Sequence, residues 1–283
     1  MKKIWIIGWL LTGFFQNNVS AQSKPALPKG SLFIIGGGDR PPALVKSMLS
    51  VAGLKARDYI VVLPMSSEEP DSSFFYFRED IAPVCSNTIA NLNFTKDKVN
   101  DKKWLDSLLH ARLIFITGGD QERFMNVVLN TPVFAALHKA YENGATIAGT
   151  SAGAAVMSRQ MITGRETSDT AYHATFRRLR EKNIEIKQGL GLLDNAVIDQ
   201  HFIVRSRYNR LLSALAAFPT LPCIGIDEET AIIVQGNNIT VSGMGQVIVF
   251  KNPRGLSVTS THLIKFRDLQ LSIYTSGDKF LLK

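Results

Sequence analysis

Cysteine is scarce: Cys85 and Cys223 are the only two in 283 residues, which excludes a disulfide scaffold and a cysteine-rich zinc cluster. A single bridge between them and two buried thiols both stay open. Beyond the N-terminus no run of 18 apolar residues occurs, so no stable membrane insertion is expected. Charge of one sign is also modest, 32 lysines and arginines against 24 aspartates and glutamates. Without a lysine–arginine run or interleaved aromatics, nucleic acid is not an expected partner. Internal repeats, low-complexity blocks and interdomain linkers are missing as well, which makes one domain the default. With 45% hydrophobic and 20% charged residues, such a chain buries a sizeable core without metals or disulfides.

The first 21 residues stand apart. Lys2 and Lys3 form a positive start, residues 4–15 an apolar stretch broken by Gly8, Thr12 and Gly13, and Val19-Ser20-Ala21 a small-residue cleavage site. That order is a signal peptide's, and the stretch is short for a bilayer span; a retained membrane anchor is the alternative. No cysteine near the cleavage point offers a lipid attachment. The expectation is an exported, periplasmic or extracellular protein, with residues 1–21 as signal peptide and 22–283 as a single α/β domain.

Short, nearly continuous apolar runs at 31–35, 59–63, 88–94, 112–117 and 145–148 read as strands covered on both faces. Between them 43–54, 101–109, 121–129 and 132–143 have helical spacing. This βα alternation predicts a mostly parallel sheet with helices on both sides and a site at the strand ends. The second half is less regular. Residues 158–183, rich in charge and hydroxyls, are expected to form an exposed loop and one helix; 196–202 and 223–227 read as strands, and 208–218 as a helix stopped by Pro219. A hairpin is expected from 230–234 and 238–241 around Gly236-Asn237, followed by a strand at 246–251.

Gly149-Thr150-Ser151-Ala152-Gly153 follows the apolar run 145–148 and precedes a helix-compatible Ala154-Ala155-Val156-Met157. In that frame the motif reads as a nucleophile elbow, whose flanking glycines leave room for a sharp turn that projects the hydroxyl. The amide of Ala152 becomes an oxyanion donor, and so do Gly118 and Gly119 after their strand. Gly36-Gly37-Gly38-Asp39-Arg40 is a second glycine turn. It lacks dinucleotide spacing, and Gly118-Gly119-Asp120 lacks the lysine of a phosphate loop.

A serine needs a base, and five histidines are present: His110, His138, His173, His201 and His262. His201 closes the run Ala196-Val197-Ile198-Asp199-Gln200 at a strand's C-terminal end, where an open α/β sheet keeps its site, whereas His173 falls in the exposed middle segment with substrate contact open to it. The orienting carboxylate is favoured at Asp227 or Glu228, which end the strand Cys223-Ile224-Gly225-Ile226; Glu166, Asp169, Asp194 and Asp199 are alternatives. Arg205, Arg207 and Arg210 form a basic segment suited to clamping a carboxylate, while Asp199 and Gln200 suit a cationic or amide group.

The ordered set Gly36-Gly37-Gly38-Asp39, Gly118-Gly119-Asp120-Gln121, Gly149-Thr150-Ser151-Ala152-Gly153-Ala154, Asp199-Gln200-His201-Phe202 with Arg205, Arg207 and Arg210-Leu211, and Gly225-Ile226-Asp227-Glu228 with Thr230-Ala231 resembles the cyanophycinases of the aspartyl-dipeptidase-like serine peptidase family. The resemblance spans about residues 31–250. It implies a three-layer α/β sandwich with a mostly parallel sheet, like the class-I glutamine amidotransferases. It also implies Ser151 as nucleophile, His201 as base, Glu228 rather than Asp227 as acid, and Gln121, Asp199, Gln200, Arg207 and Arg210 in the substrate pocket. The implied substrate is an arginine- and aspartate-containing polymer, a polyaspartate bearing arginine side groups, cut to β-aspartyl-arginine dipeptides through an acyl-enzyme. No metal or organic cofactor is implied, and a homodimer is left open. An exported leader and the long segment between Ser151 and His201 depart from a simple intracellular storage-granule enzyme. A broader aspartyl dipeptidase and a catalytically silent peptide-binding module are the rival readings. The order nucleophile, histidine, acid differs from that of ordinary α/β-hydrolases.

Overall fold

The computed structural model describes residues 27–168, 171, 173 and 175–282; the expected signal peptide over 1–21 and the candidate carboxylate Asp169 lie outside them. The first half is the expected alternation: β1 (Ser31–Ile35), α1 (Pro42–Ala52), β2 (Tyr59–Leu63), α2 (Pro70–Ile81), β3 (Thr88–Asn91), α3 (Lys102–His110), β4 (Leu113–Ile116), α4 (Gln121–Val128), α5 (Pro132–Asn143) and β5 (Thr146–Thr150). Local chemistry starts the helices. Proline opens α1, α2 and α5, where its missing N–H is no loss. The side chains of Asp101 and Asp120 accept from first-turn amides of α3 and α4.

The second half comprises α6 (Ala152–Ala155), β6 (Gln160–Glu166), β7 (Ile184–Gln188), β8 (Val197–Asp199), α7 (Tyr208–Ala217), β9 (Cys223–Ile226), β10 (Thr230–Gln235), β11 (Asn238–Gly243), β12 (Val247–Arg254), β13 (Ser257–Val258), β14 (Ile264–Lys265), β15 (Asp268–Tyr274) and β16 (Lys279–Leu281). The large sheet has the order β16-β11-β10-β1-β5-β4-β2-β3. Its neighbours from β1 to β3 are all parallel, and β10, β11 and β16 extend it antiparallel.

Alternation along the strands feeds two cores. Leu32, Val61, Ile114 and Ile147 pack with Leu108, Phe124, Val133 and Leu137 of α3, α4 and α5. Phe33, Ile60, Val62 and Phe115 point the other way, onto Leu44 and Met48 of α1 and Phe77 and Ile81 of α2. Helices therefore cover both faces, and the fold is the expected three-layer α/β sandwich. At about 2 kcal/mol for each fully buried aliphatic or aromatic side chain, these faces hold the layers together.

Two expectations are corrected. Residues 158–183 contain no helix among those described; Gln160–Glu166 pairs antiparallel with Ile184–Gln188, a partner strand that lies well downstream. The strands read at 196–202 and 223–227 do not extend the main sheet: β8 and β9 pair in parallel within a second sheet, order β15-β12-β9-β8. That sheet packs Ile198, Ile224 and Val249 into the first core, and Val197, Cys223 and Phe250 against Leu211, Ala214 and Leu215 of α7. Of the two alternatives left open for the cysteines, Cys85 and Cys223 are both free thiols, and burial pushes the Cys223 thiol pKa upward.

Candidate active site

β1 and β5 are central neighbours, with Ile35 opposite Thr150. The turns that leave their ends therefore emerge side by side, and the Ser151 N–H donates to Ile35 O at 3.1 Å. Ser151 has φ 53° and ψ −109°, a costly conformation for a side-chain-bearing residue. The glycines permit it by close approach. A Cβ on Gly149 would stand 2.5 Å from the Gly153 carbonyl oxygen, and one on Gly153 would stand 2.2 Å from that of Ile116.

The second sheet brings the other members. His201 follows β8 and Glu228 follows β9. His201 Nε2 lies 2.7 Å from Ser151 Oγ, and its Nδ1 lies 2.5 Å from Glu228 Oε1. A carboxylate at Nδ1 selects the tautomer that donates there, which leaves the Nε2 lone pair to accept the serine proton. Asp227 turns away; its Oδ1 accepts from the amides of Ile203 and Val204 at 3.0 and 3.1 Å. Glu166 accepts from Asn183, and Asp194 sits 4.0 Å from Arg159. Burial is the largest influence on His201 and lowers its pKa; the bond to Glu228 opposes this, and Arg205 and Arg207 add to the lowering, so the net shift is downward.

The Gly36–Gly38 turn, read in the sequence only as a second glycine turn, is the floor beneath the histidine and acid. A Cβ on Gly37 would meet His201 Cε1 at 2.2 Å, and one on Gly38 would meet the Glu228 Cβ at 2.8 Å. Gly118 borders the serine from the opposite side, its hypothetical Cβ 3.5 Å from the Ser151 Cβ. Among the described residues neither the Gly118–Gly119 turn nor Ala152 directs its N–H groups to a backbone acceptor, so these amides are free for a ligand oxygen.

Ser151 and His201 open onto a cavity of about 310 Å³, walled by the 119–122 turn, Thr163, Gly164 and Arg165 of β6, Ala171, Gln200, Arg205, Arg207 and Arg210. Gln121 donates its Nε2 to the carbonyls of Ile162 at 3.0 Å and Thr163 at 2.7 Å. Its amide oxygen is the group left for the cavity. Gln200 is fixed the other way round: its Oε1 accepts from Arg207 at 2.6 Å and Arg210 at 3.0 Å, leaving its NH2 as donor.

Asp199, expected to meet a cationic substrate group, faces the protein interior. Its side chain is fully buried, paired bidentately with Arg210 and 3.7 Å from Arg207, so its carboxylate neutralises the protein's own arginines. Thr163, Gly164 and Arg165 line the cavity without having been singled out in the sequence, since β6 was read as loop and helix, and Glu122 of α4 lines it too. Glu122 accepts from Lys187 and pairs with Arg165 at 3.1 Å.

Outside the site, His138 meets the Leu190 carbonyl oxygen at 2.7 Å, His262 meets Glu181 at 2.7 Å, and His110 lies on its own helix turn. The described residues contain no group of three histidine, cysteine, aspartate or glutamate side chains placed to hold a metal ion.

The sequence model of peptidase family S51 matches residues 32–242. A cyanophycinase from Nostoc sp. is 29% identical over 269 residues, covering 91% of this chain and 87% of that one. A cyanophycinase from Synechococcus elongatus is 30% identical over 269 residues, covering 90% of this chain and 80% of that one. The crystal structure of a peptidase from an acI-B1 Actinobacterium has the same fold, with a TM-score of 0.66 at 20% identity over 89% of this chain and 96% of that one.

Proposed function

The chain belongs to peptidase family S51, and from that premise we propose that it is an exported serine peptidase that hydrolyses cyanophycin, a polyaspartate bearing arginine side groups, to β-aspartyl-arginine dipeptides. The observation that carries the catalytic part is the continuous chain Ser151 Oγ, His201, Glu228, with contacts of 2.7 and 2.5 Å, at the mouth of the cavity. The substrate follows from the relatives named cyanophycinase; export follows from residues 2–21 alone.

In this reading the hydroxyl proton of Ser151 passes to His201 Nε2 as Oγ bonds to an aspartyl carbonyl carbon. The oxygen of the tetrahedral adduct takes hydrogen bonds from the Gly118–Gly119 turn and Ala152. His201, held by Glu228, returns the proton to the leaving nitrogen, the C–N bond breaks, and an acyl-serine ester remains. Water, deprotonated by His201, adds to the ester; expulsion of Ser151 Oγ with that proton frees the new carboxylate. Gln121, Gln200, Arg205 and Arg165 are the groups that meet substrate, the arginines through its carboxylates.

A second reading, a broader aspartyl dipeptidase, draws on the enclosure of Asp199. With that carboxylate bound to Arg210 and Glu122 bound to Arg165 and Lys187, the cavity offers less to an arginine side group than to a carboxylate.

The test uses the mature protein, whose intact mass starts at Gln22 if the leader is removed, incubated with purified cyanophycin or with a panel of aspartyl dipeptides and followed by mass spectrometry. β-Aspartyl-arginine is expected from the wild type and none from Ser151→Ala. Cleavage of aspartyl dipeptides without any product from the polymer replaces the substrate with the second reading. Undiminished fluorophosphonate labelling of Ser151→Ala removes the site.

A further inference from the structure

The peptide plane between Gln200 and His201 is held at both ends. Its carbonyl oxygen accepts from Arg207 Nη1 at 2.6 Å, and its N–H donates to the Gly36 carbonyl oxygen at 2.6 Å. This plane precedes a histidine with φ 48°, in the left-handed region that a residue with a side chain occupies at a cost and keeps only if its surroundings over-determine it. The following peptide is held as well, the His201 carbonyl oxygen accepting from the Arg205 N–H at 3.1 Å, so the two planes on either side of His201 together set its φ and the direction of its ring.

The rest of the arginine cluster is arranged around that bond. Arg207 is 3% exposed and Arg210 2% exposed, so neither lies on a solvated helix face. The same Arg207 Nη1 reaches Gln200 Oε1 at 2.6 Å, and Arg210 Nη2 shares that oxygen at 3.0 Å. Arg210 Nε meets Asp199 Oδ2 at 2.8 Å, and Asp199 Oδ1 accepts the Gln200 N–H at 2.8 Å. Asp199 thus supplies the counter-charge that allows two guanidinium groups to be buried together, and each partner of the pair touches residue 200.

We propose that Arg207, backed by Asp199 and Arg210, is a positioning residue that clamps the Gln200–His201 peptide and holds the catalytic base in its left-handed conformation, rather than a group whose main partner is substrate. The proposal rests on the serine–histidine reading of the site. It differs from a substrate-binding role in one measurable way: a clamp acts on every substrate, charged or not. A misplacement of about 1 Å in a catalytic group costs on the order of 100-fold in rate.

The test compares p-nitrophenyl acetate, which carries no charge for an arginine to grip, with an aspartyl peptide substrate that the wild type cleaves. Arg207→Met and the charge-retaining Arg207→Lys are assayed per fluorophosphonate-titrated site, below their melting temperatures. The expected result is a fall in kcat of about 10- to 100-fold, equal within about 3-fold for ester and peptide, with KM for each unchanged within about 3-fold, and a smaller fall for lysine than for methionine. Ester turnover within about 2-fold of wild type in both folded variants overturns the clamp, whether or not the peptide KM rises. Ester turnover that survives Ser151→Ala, or is missing from the wild type, overturns the serine–histidine reading itself and the clamp with it. If Arg207→Met does not fold, Arg207→Lys alone decides between these outcomes.

Discussion

His201 sits under opposed influences. Burial disfavours its charged form and is the largest of them; the Glu228 bond favours that form, and Arg205 and Arg207 disfavour it. With the net shift downward, the base stays neutral to lower pH than an ordinary histidine, whose pKa is about 6.5. The acid limb of kcat/KM, which reports the free enzyme, is therefore expected below that value, and a limb at or above it would contradict burial as the dominant influence. Glu228→Gln removes the influence that raises the pKa, so the limb moves further down while kcat drops by about 100- to 10,000-fold, the range for losing the third member of such a triad. A pH–rate profile of both proteins checks the two signs together. Ser151 and His201 were legible in the sequence because each is announced by its own neighbours, a glycine elbow and a strand end. Glu228 was not separable from Asp227 without the family resemblance. The two adjacent carboxylates differ only in which way they leave the end of β9, and that direction depends on packing against Gly38. The pairing of Asp199 was illegible for a related reason: its partner lies eleven residues on, and an acidic residue beside a basic segment carries no mark of whether it faces inward.

At the scale of the element, the antiparallel pair β6 and β7 forms one wall of the cavity, and two contacts hold it to α4. One is the Glu122 cluster with Arg165 and Lys187; the other is Gln121 on the carbonyls of Ile162 and Thr163. Gln121→Met deprives both carbonyls of their donor at a cost of about 1–3 kcal/mol for a buried polar group left unsatisfied. Thr163, Gly164 and Arg165 then lose their anchor, so a lower melting temperature and a higher peptide KM are expected together, read by thermal unfolding and steady-state kinetics. A lower melting temperature with KM unchanged would mean that the wall is held by the Glu122 cluster alone. This wall was invisible in the sequence because 158–183 is polar and β6 finds its partner only after an intervening segment; strand pairing across such a gap leaves no local period beyond two or three buried positions. Helix α2 went unrecognised for the opposite reason. Its Phe74-Phe75-Tyr76-Phe77 run is apolar all round, yet Phe75 and Tyr76 are exposed and only Phe77 and Ile81 are buried, so no stripe stands out.

In the whole molecule, chemistry and stability occupy opposite ends of the strands. The five parallel strands were readable because burial on both faces makes them continuous apolar runs. The division into two sheets was not, since β8 and β9 show the same short apolar pattern as β1 or β4. The ends of β1, β4 and β5 in one sheet and of β8 and β9 in the other all run toward the cavity. The opposite edge carries Arg112, just ahead of β4. Its Nε donates to the Ala52 carbonyl oxygen at 2.6 Å and its Nη1 to that of Gly144 at 2.8 Å. Ala52 ends α1 on one face of the sheet and Gly144 follows α5 on the other, so one guanidinium joins the two outer layers through the unsatisfied carbonyls of both helix ends. Hydrogen bonds from a charged donor are worth about 1.5–3 kcal/mol each, and the half-buried setting favours the lower figure. Arg112→Met is accordingly expected to remove about 2–4 kcal/mol and to lower the melting temperature by roughly 4–16 °C at the 2–4 °C per kcal/mol of a chain this size. Because Arg112 lies a full strand length from Ser151, kcat/KM measured well below the melting temperature should match the wild type. A loss of activity in the folded variant would mean that the two ends of the sheet are coupled and that the separation drawn here fails.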